Sequence, residues 1–465
     1  MCTIQSPIST RIQSPCSCPS TCISFNPFFF PVRVILSESE LKRQYPFSNS
    51  LSPILGYVGR INQRDLAHVD KKNYQATQYI GKVGIEKYYE KKLHGTIGYA
   101  IAEINAAGQV IRYLKRTPPI NGQNLTLSID NRIEKLAYKL MKKNEGALVA
   151  INPSNGEIIA MVSTPSYDPN LFVNGITTKA YQQLTNDPNH PLFNRDIRGL
   201  YSPGSTVKPF IAYYALANGI LNSQDTIVDP GWFKLPHTKH IFHDWKRNGH
   251  GVVNVTKAIT VSCDTFFYNL ASKLGISRLD EALAEFGFGA STHVDLGEEL
   301  AGNLPAPISN PGHPTHWYTG NTIEIGIGQG ALTTTPLALA VSTTVLANKG
   351  VLIRPHLLVK STQPNTKKVM ITPISKTTVF NIDQNAWSTV TDAMQKVISS
   401  PHGTAIHFGK NARYSVAGKT GTVQMYAKRR FHYKTTKTVP KELRNNHLFI
   451  TFAPVNHPAI VVAIV

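Results

Sequence analysis

Three short polar segments, far apart in the chain, set the strongest constraint on what this sequence can fold into. Ser205-Thr-Val-Lys208 follows Pro203-Gly204 and opens an apolar run (Phe210, Ile211, Tyr214, Ala215) with helical character. Pro203-Gly204 makes a sharp entry turn, and Pro209 sits in the first helical turn, where a missing N–H costs least. Positions i and i+3 share a helix face, so a hydroxyl and an amine meet at a helix start, where free N–H groups favour developing negative charge. A serine nucleophile needs that arrangement: a base in reach and electrophilic help beside it. Alone, the segment also reads as a capping serine with a surface lysine. Ser262-Cys-Asp264 lies between two helix-like stretches, 255–261 and 265–274, the second closed by Gly275, and alone reads as an N-cap. Lys419-Thr-Gly-Thr422 lies inside the strand-like stretch 414–426, where Gly421 marks the close approach of another backbone or a ligand. A fold that unites the three must bring a helix start, an inter-helix turn and a strand to one place.

Around them, helices and strands alternate irregularly. Asp130 reads as the cap of a helix whose Ile133, Leu136, Ala137, Leu140 and Met141 form one apolar face. Strands at 147–151 and 157–162 are joined by the hairpin turn Pro153-Ser-Asn-Gly156, and strands at 447–453 and 459–465 flank a turn at 454–458. The pattern predicts an α/β (α+β) domain over 123–465. Residues 43–122 mix short strands with basic helical patches, including a glycine-bounded helix over 81–95, and break at Pro118-Pro119 and Asn121-Gly122. Residues 1–42 form an atypical leader read as disordered. Its first 33 residues hold no Ala, Gly, Leu, Lys, Asp or Glu but carry Cys2, Cys16, Cys18 and Cys22. Cys263 stands alone in the body, which therefore does not depend on an internal disulfide. The chain stops inside an apolar strand, and truncation is the expectation there.

Lys and Arg number 48 against 28 Asp and Glu, a formal charge of +20, which suits an anionic neighbour. Nothing reaches the 18 or so unbroken apolar residues of a membrane span. The nearest stretch, 25–36, is interrupted by Asn26, Pro27, Pro31 and Arg33. Residues 428–444 carry seven basic residues and one acid, but no nucleic-acid-binding motif accompanies them, so no nucleic-acid partner is expected. Gly326-Ile-Gly-Gln-Gly330 lacks dinucleotide spacing and reads as a tight turn.

In order, with Ser262 57 residues after Ser205 and Lys419 214 after it, the three segments form the motif set of class A β-lactamases and penicillin-binding proteins. Asp264 stands where that set usually has Asn. The segment 81–95, Ser163-Thr-Pro-Ser-Tyr-Asp-Pro-Asn-Leu-Phe172, Tyr201-Ser-Pro-Gly-Ser-Thr-Val-Lys-Pro-Phe210, Asp229-Pro-Gly-Trp232, Gly326–Gly330 and Gly418-Lys-Thr-Gly-Thr-Val-Gln424 closely resemble the penicillin-binding protein 2 family, the class B transpeptidases of cell elongation. The resemblance runs from about residue 43 to 465. It implies a transpeptidase/serine β-lactamase-like fold, an antiparallel sheet flanked by helices, over 123–465, and a partial pedestal of the dimerisation type over 43–122. It also implies a place on the periplasmic face of the inner membrane. The family's cytoplasmic tail, membrane anchor, much of the pedestal and closing C-terminal helix are not in this sequence, so truncation at both ends is expected.

The resemblance further implies a peptidoglycan D,D-transpeptidase acting in cell elongation and rod-shape maintenance. Its substrate is a stem peptide ending in D-alanyl-D-alanine, and β-lactams trap its serine covalently. Ser205 is then the nucleophile, Lys208 its base, Ser262 a proton relay and Asp264 an orienting group. Lys419 and Thr420 hold the substrate carboxylate, and the strand through Gly421 and Thr422 pairs with the peptide. A SEDS-family glycosyltransferase and elongation-machinery proteins are the implied partners. Asp229, Asp244, His250 and Cys263 offer oxygen, nitrogen and sulfur donors that suit zinc. A solvent-facing loop with a buried cysteine is the alternative, and some relatives hold a structural zinc on this ligand set. The acyl transfer itself needs no cofactor. Two other readings stay open: a D,D-carboxypeptidase or β-lactamase with the same motifs, and a non-catalytic truncated remnant.

Overall fold

The computed structural model describes residues 2–4 and 42–465, except 76, 107–108, 174, 236–237, 239, 306–316, 410–411 and 424–443. Five strands form the central, fully antiparallel sheet in the order Ala417–Val423, Asn446–Ala453, Ile460–Ile464, Gly146–Ile151, Ile158–Thr164. The middle strand, Ile460–Ile464, is the last in sequence, and Val465 and Ala147 exchange both backbone hydrogen bonds at its end. Among the described residues, the strand bearing Lys419 is therefore an edge strand, with no strand paired along its outer side. The hairpin expected between 147–151 and 157–162 is the pair Gly146–Ile151 and Ile158–Thr164.

Helices cover the sheet. Pro336–Ala347 is buried at every position and packs across the three middle strands. A helix apolar all round belongs in an interior. Its Ser342, Thr343 and Thr344 hydroxyls donate to the carbonyls four residues back, so they enter the core already bonded. Helix Gln384–Ser399 packs against the edge strand and against helices Val255–Val261 and Lys208–Ala217. Asp383 caps it through Ala386 N–H. The start of Lys208–Ala217 is thereby fixed between the edge strand and Val255–Val261.

Two helical elements differ from the sequence expectation. Asp130 does cap the helix Asn131–Met141, but Ile133, Leu136 and Leu140 face outward, Leu140 being 70% exposed. Glu134 and Ala137 face the sheet instead: Glu134 Oε2 accepts the Met161 N–H at 2.8 Å, and the small Ala137 lets the helix approach. The helix expected over 81–95 is two, Gly84–Tyr88 and Glu90–His94, after a short strand Tyr79–Gly81. Tyr89 at the break donates to Asp295 Oδ2 at 2.6 Å, and Gly81 N–H donates to Glu90 Oε2 at 2.8 Å. Tertiary partners thus decide the geometry that local periodicity left continuous.

Within the leader read as disordered, Cys2–Ile4 is instead a strand that pairs antiparallel with Asn124–Leu127, its backbone groups satisfied by that neighbour; residues 5–41 of the leader lie outside the described residues. Nearly all of the basic stretch 428–444 does too. A two-stranded ribbon, Tyr99–Ile104 with Val110–Thr117, follows the double helix of 84–94. Among the described residues, no helix is long and apolar enough to cross a membrane.

Candidate active site

The site starts from a turn. Gly204 has φ +55°, a conformation costly for any residue with a Cβ, and its N–H donates to Gly328 O at 2.8 Å. Gly328 is itself at φ +72°, and a Cβ there would lie 2.1 Å from Gly204 O. The 326–330 segment is thus the tight turn its sequence suggested, and it braces the turn that carries Ser205. A short 3-10 stretch, Gly204–Val207, then runs into the helix Lys208–Ala217. Ser205 is half-buried; Lys208, three residues on, is completely buried.

Lys208 Nζ donates to Asp264 Oδ1 at 2.7 Å and to Ser262 O at 2.9 Å, and lies 3.4 Å from Ser262 Oγ. A buried ammonium without a counter-charge would cost several kcal/mol, and Asp264 supplies that charge. Phe267 closes the site beneath, its ring centroid 5.3 Å from Nζ. Ser262 occupies the left-handed region (φ 59°, ψ 41°) at the end of helix Val255–Val261. That strained cap turns both its carbonyl and its hydroxyl toward the lysines.

Lys419 is also completely buried, and its Nζ donates to Ser262 Oγ at 2.9 Å and Thr420 O at 2.8 Å. Burial and the Lys208 cation hold its pKa well below that of an ordinary lysine, with Asp264 opposing. Ser262 Oγ therefore stands between two amines, and the buried cluster holds two amines to one carboxylate. At the surface, Thr420 Oγ1 lies 2.6 Å from Thr404 Oγ1, and exposed Thr422 has His447 Nδ1 3.5 Å from its hydroxyl. Gly421 lets the strand press on the nucleophile turn, since a Cβ there would meet Pro203 O and Thr206 Cγ2 at 3.0 Å. Five residues named from the sequence for catalysis, Ser205, Lys208, Ser262, Asp264 and Lys419, thus lie on three elements packed together, with Thr420, Gly421 and Thr422 along one edge. Among the described contacts, no hydrogen bond joins Ser205 to Lys208; catalytic bonds are often loose before substrate arrives.

Beside this cluster, one ligand atom from each of Asp229, Asp244, His250 and Cys263 lies within 4.8 Å of the others. His250 Nδ1 is 2.7 Å from Asp229 Oδ2 and 3.6 Å from Asp244 Oδ1, and Cys263 Sγ is 3.3 Å from Asp229 Oδ2. The buried Nε2 of His250 has no partner among the described residues. Burial, with Asp244 and Asp229 adding to it, pushes the Cys263 thiol well above its usual range.

Sequence reasoning missed how the two groups interlock. Asp244 Oδ2 accepts the N–H groups of Asp264 and Thr265 at 2.6 and 3.0 Å, so it caps the helix that begins at Asp264. The Trp245 N–H donates to Asp264 Oδ2 at 3.2 Å, and its indole N–H to Val261 O at 3.2 Å. Asp244 lies 20 residues upstream, so no local cap signal pointed to it.

Two family models match the chain: the penicillin binding protein transpeptidase domain over residues 146–465, and the penicillin-binding protein dimerisation domain over 30–127. Peptidoglycan D,D-transpeptidase MrdA of Escherichia coli K12 is 41% identical over 429 residues, covering 91% of this chain and 68% of the relative. Its Haemophilus influenzae counterpart is 39% identical, over 91% of this chain and 66% of its own length. Pseudomonas aeruginosa PBP2, solved in complex with WCK 5153, superposes with a TM-score of 0.78 at 40% identity, covering 92% of this chain and 86% of that one. Helicobacter pylori PBP2, solved in complex with MreC, gives 0.79 at 33% identity, covering 91% and 74%. Fold, motif geometry and these likenesses agree: the chain belongs to the penicillin-binding protein family, on its penicillin-binding protein 2 branch.

Proposed function

We propose that the chain is a serine D,D-transpeptidase that cross-links peptidoglycan stem peptides ending in D-alanyl-D-alanine during cell elongation. One observation carries the residue roles: Ser262 Oγ stands 2.9 Å from Lys419 Nζ and 3.4 Å from Lys208 Nζ. With one carboxylate among two amines, the least charged buried cluster lacks one amine proton, and Ser262 can pass that vacancy to Lys208. Lys208 then takes the proton of Ser205 as Oγ attacks the penultimate carbonyl. The backbone N–H groups of Ser205 and Thr422 receive the developing oxyanion. As the peptide C–N bond breaks, the proton passes through Ser262 to the departing D-alanine amine, leaving an ester on Ser205. An amine of a second stem attacks the ester, its proton returns by the same route, and the new amide frees Ser205. The open edge of Ala417–Val423 pairs with the extended peptide, and the Thr420 and Thr422 hydroxyls, with the field of Lys419, receive its carboxylate.

A β-lactam that acylates Ser205 forms an ester that this site hydrolyses slowly. Rapid antibiotic turnover would favour the β-lactamase alternative, and D-alanine release without an acceptor amine the carboxypeptidase one. The decisive assay follows D-alanine release and dimer formation from a stem pentapeptide with an amine acceptor. Both products are expected, and both are lost in Ser205→Ala. A folded sample that forms neither supports the non-catalytic reading.

Residues 43–122 serve as the pedestal and 123–465 as the catalytic unit, behind a leader at 1–42. The place of action is the periplasmic face of the inner membrane, with a SEDS-family glycosyltransferase and elongation-machinery proteins as partners. The +20 charge suits that surface, and a relative from Helicobacter pylori is known in complex with MreC. Asp229, Asp244, His250 and Cys263 fit a structural zinc in donor type and clustering, and the buried Nε2 of His250 has no partner among the described residues. A metal held by these four residues would tie the 229–250 segment to the turn at Ser262, and no step of the acyl transfer would need it. Elemental analysis is expected to find one zinc per chain, and a clearly substoichiometric content overturns the assignment.

A further inference from the structure

A cleft of about 220 Å³ opens on a face formed by the segment 53–84 and the catalytic unit. Tyr57, Tyr167, Tyr181 and Phe193 line it, with Arg198 and Glu298 at its rim. The hydroxyls of Tyr57, Tyr167 and Tyr181 make no hydrogen bond to described residues, although Tyr167 is only 6% exposed. Tyr57 packs by stacking on Phe172 (3.9 Å) and edge-on to Tyr167 (6.1 Å), which fixes its ring. Glu298 bridges the parts: its Oε1 is 2.8 Å from Lys87 Nζ and its Oε2 3.9 Å from Arg198 Nη1. None of these residues takes part in the chemistry at Ser205.

We propose that this cleft binds a sugar unit of the glycan strand to which the stem peptides are attached. The inference rests on the transpeptidase reading and adds a second substrate-binding site to it. Pyranose rings offer apolar C–H faces ringed by hydroxyls. Aromatic walls suit the faces, and phenol hydroxyls without a partner among the described residues, with an arginine–glutamate pair, suit the rim. A peptide occupant would call for an open strand edge, and the lining has none. It is built from turns and short helices, with Pro53 and Pro191 offering no N–H at all. The position also makes sense for a polymer. Arg198 ends the helix Arg195–Arg198, and the chain reaches Ser205 only seven residues later. A strand held here presents its stems on the same body as the nucleophile.

The test uses a peptide-free β-1,4-linked N-acetylglucosamine tetramer and the full chain, read by saturation-transfer NMR and calorimetry. Saturable binding is expected, weakened about tenfold or more in Tyr181→Ala, which removes an exposed wall, and severalfold in Tyr57→Phe, which removes only a hydroxyl. Circular dichroism verifies that both variants are folded. Binding is expected to persist in Ser205→Ala, and covalent penicillin labelling reports the serine site separately, so the two readings fail independently. No saturable binding, equal binding by folded Tyr181→Ala, or binding of a free stem peptide in place of the tetramer would overturn the proposal.

Discussion

Among the buried charged side chains of residues 123–465, two groups are built on opposite terms. In the first, Lys208, Asp264 and Lys419 bond to one another, to Ser262 or to backbone carbonyls. In the second, Asp196 and Glu134 are just as buried, yet both carboxylate oxygens of Asp196 and Oε1 of Glu134 have no partner among the described residues. Burial pushes Asp196 well above the usual carboxylate range, opposed only by Arg195. Burial also raises Glu134, which the Met161 N–H holds back and Asp196 pushes further. A buried ion persists where partners replace water; without them, a carboxyl takes up a proton instead. The contrast separates a cluster whose charges have partners from one whose carboxyls burial drives toward the protonated form.

The largest expected effect is on the partnered side. Lys208→Met removes the base and leaves Asp264 without its cation, and penicillin acylation should slow by about 10³-fold, read by stopped-flow or labelled-drug kinetics. Loss of less than tenfold would mean that the proton leaves Ser205 by another route.

Next comes pH. The cluster reacts with one amine neutral, so acylation should fall about tenfold per pH unit below the depressed pKa of Lys419. The Asp264 carboxylate raises that pKa, so Asp264→Asn should move the acid limb to lower pH while reducing the maximum rate. A limb that stays put or moves upward would contradict the shared-proton account.

On the unpartnered side the effects are smaller and of opposite sign. Asp196→Ala removes a buried carboxyl without a hydrogen-bond partner among the described residues, and should stabilise the fold by about 1–3 kcal/mol near pH 8. A carboxyl whose folded pKa is raised contributes its full stability below its unfolded pKa, about 4, and loses it as pH rises toward the raised value. The gain from removing Asp196 should therefore shrink near pH 4, as urea melts at the two pH values will report. Glu134→Gln should change stability least, by about 1 kcal/mol or less, because the side chain keeps its acceptor for Met161 N–H. A large loss in either variant would reveal a partner for these carboxyls.

The sequence carried the parts of the site that are local. Pro203-Gly204 and the i, i+3 spacing foretold the turn and the helix that follows it, and Asp130 and Pro153-Ser-Asn-Gly156 foretold a helix cap and a hairpin. The ordered motif set brought Ser262 and Lys419 to Lys208, which spacing alone does not. Long-range devices were not legible: Asp244 capping the helix at Asp264, Gly328 pressed on Gly204, and the left-handed turn at Ser262. Each depends on atoms far apart in sequence. The face of Asn131–Met141 misled for the opposite reason, since its periodicity was clear but one backbone bond to Glu134 turned it outward.

The central claim is that Ser205 is the nucleophile served by this cluster, and intact-mass spectrometry after incubation with a labelled penicillin tests it most directly. The account predicts one adduct per chain, mapped to Ser205 by peptide analysis and absent in Ser205→Ala. A folded chain that forms no adduct, or one that keeps its adduct in Ser205→Ala, would contradict it.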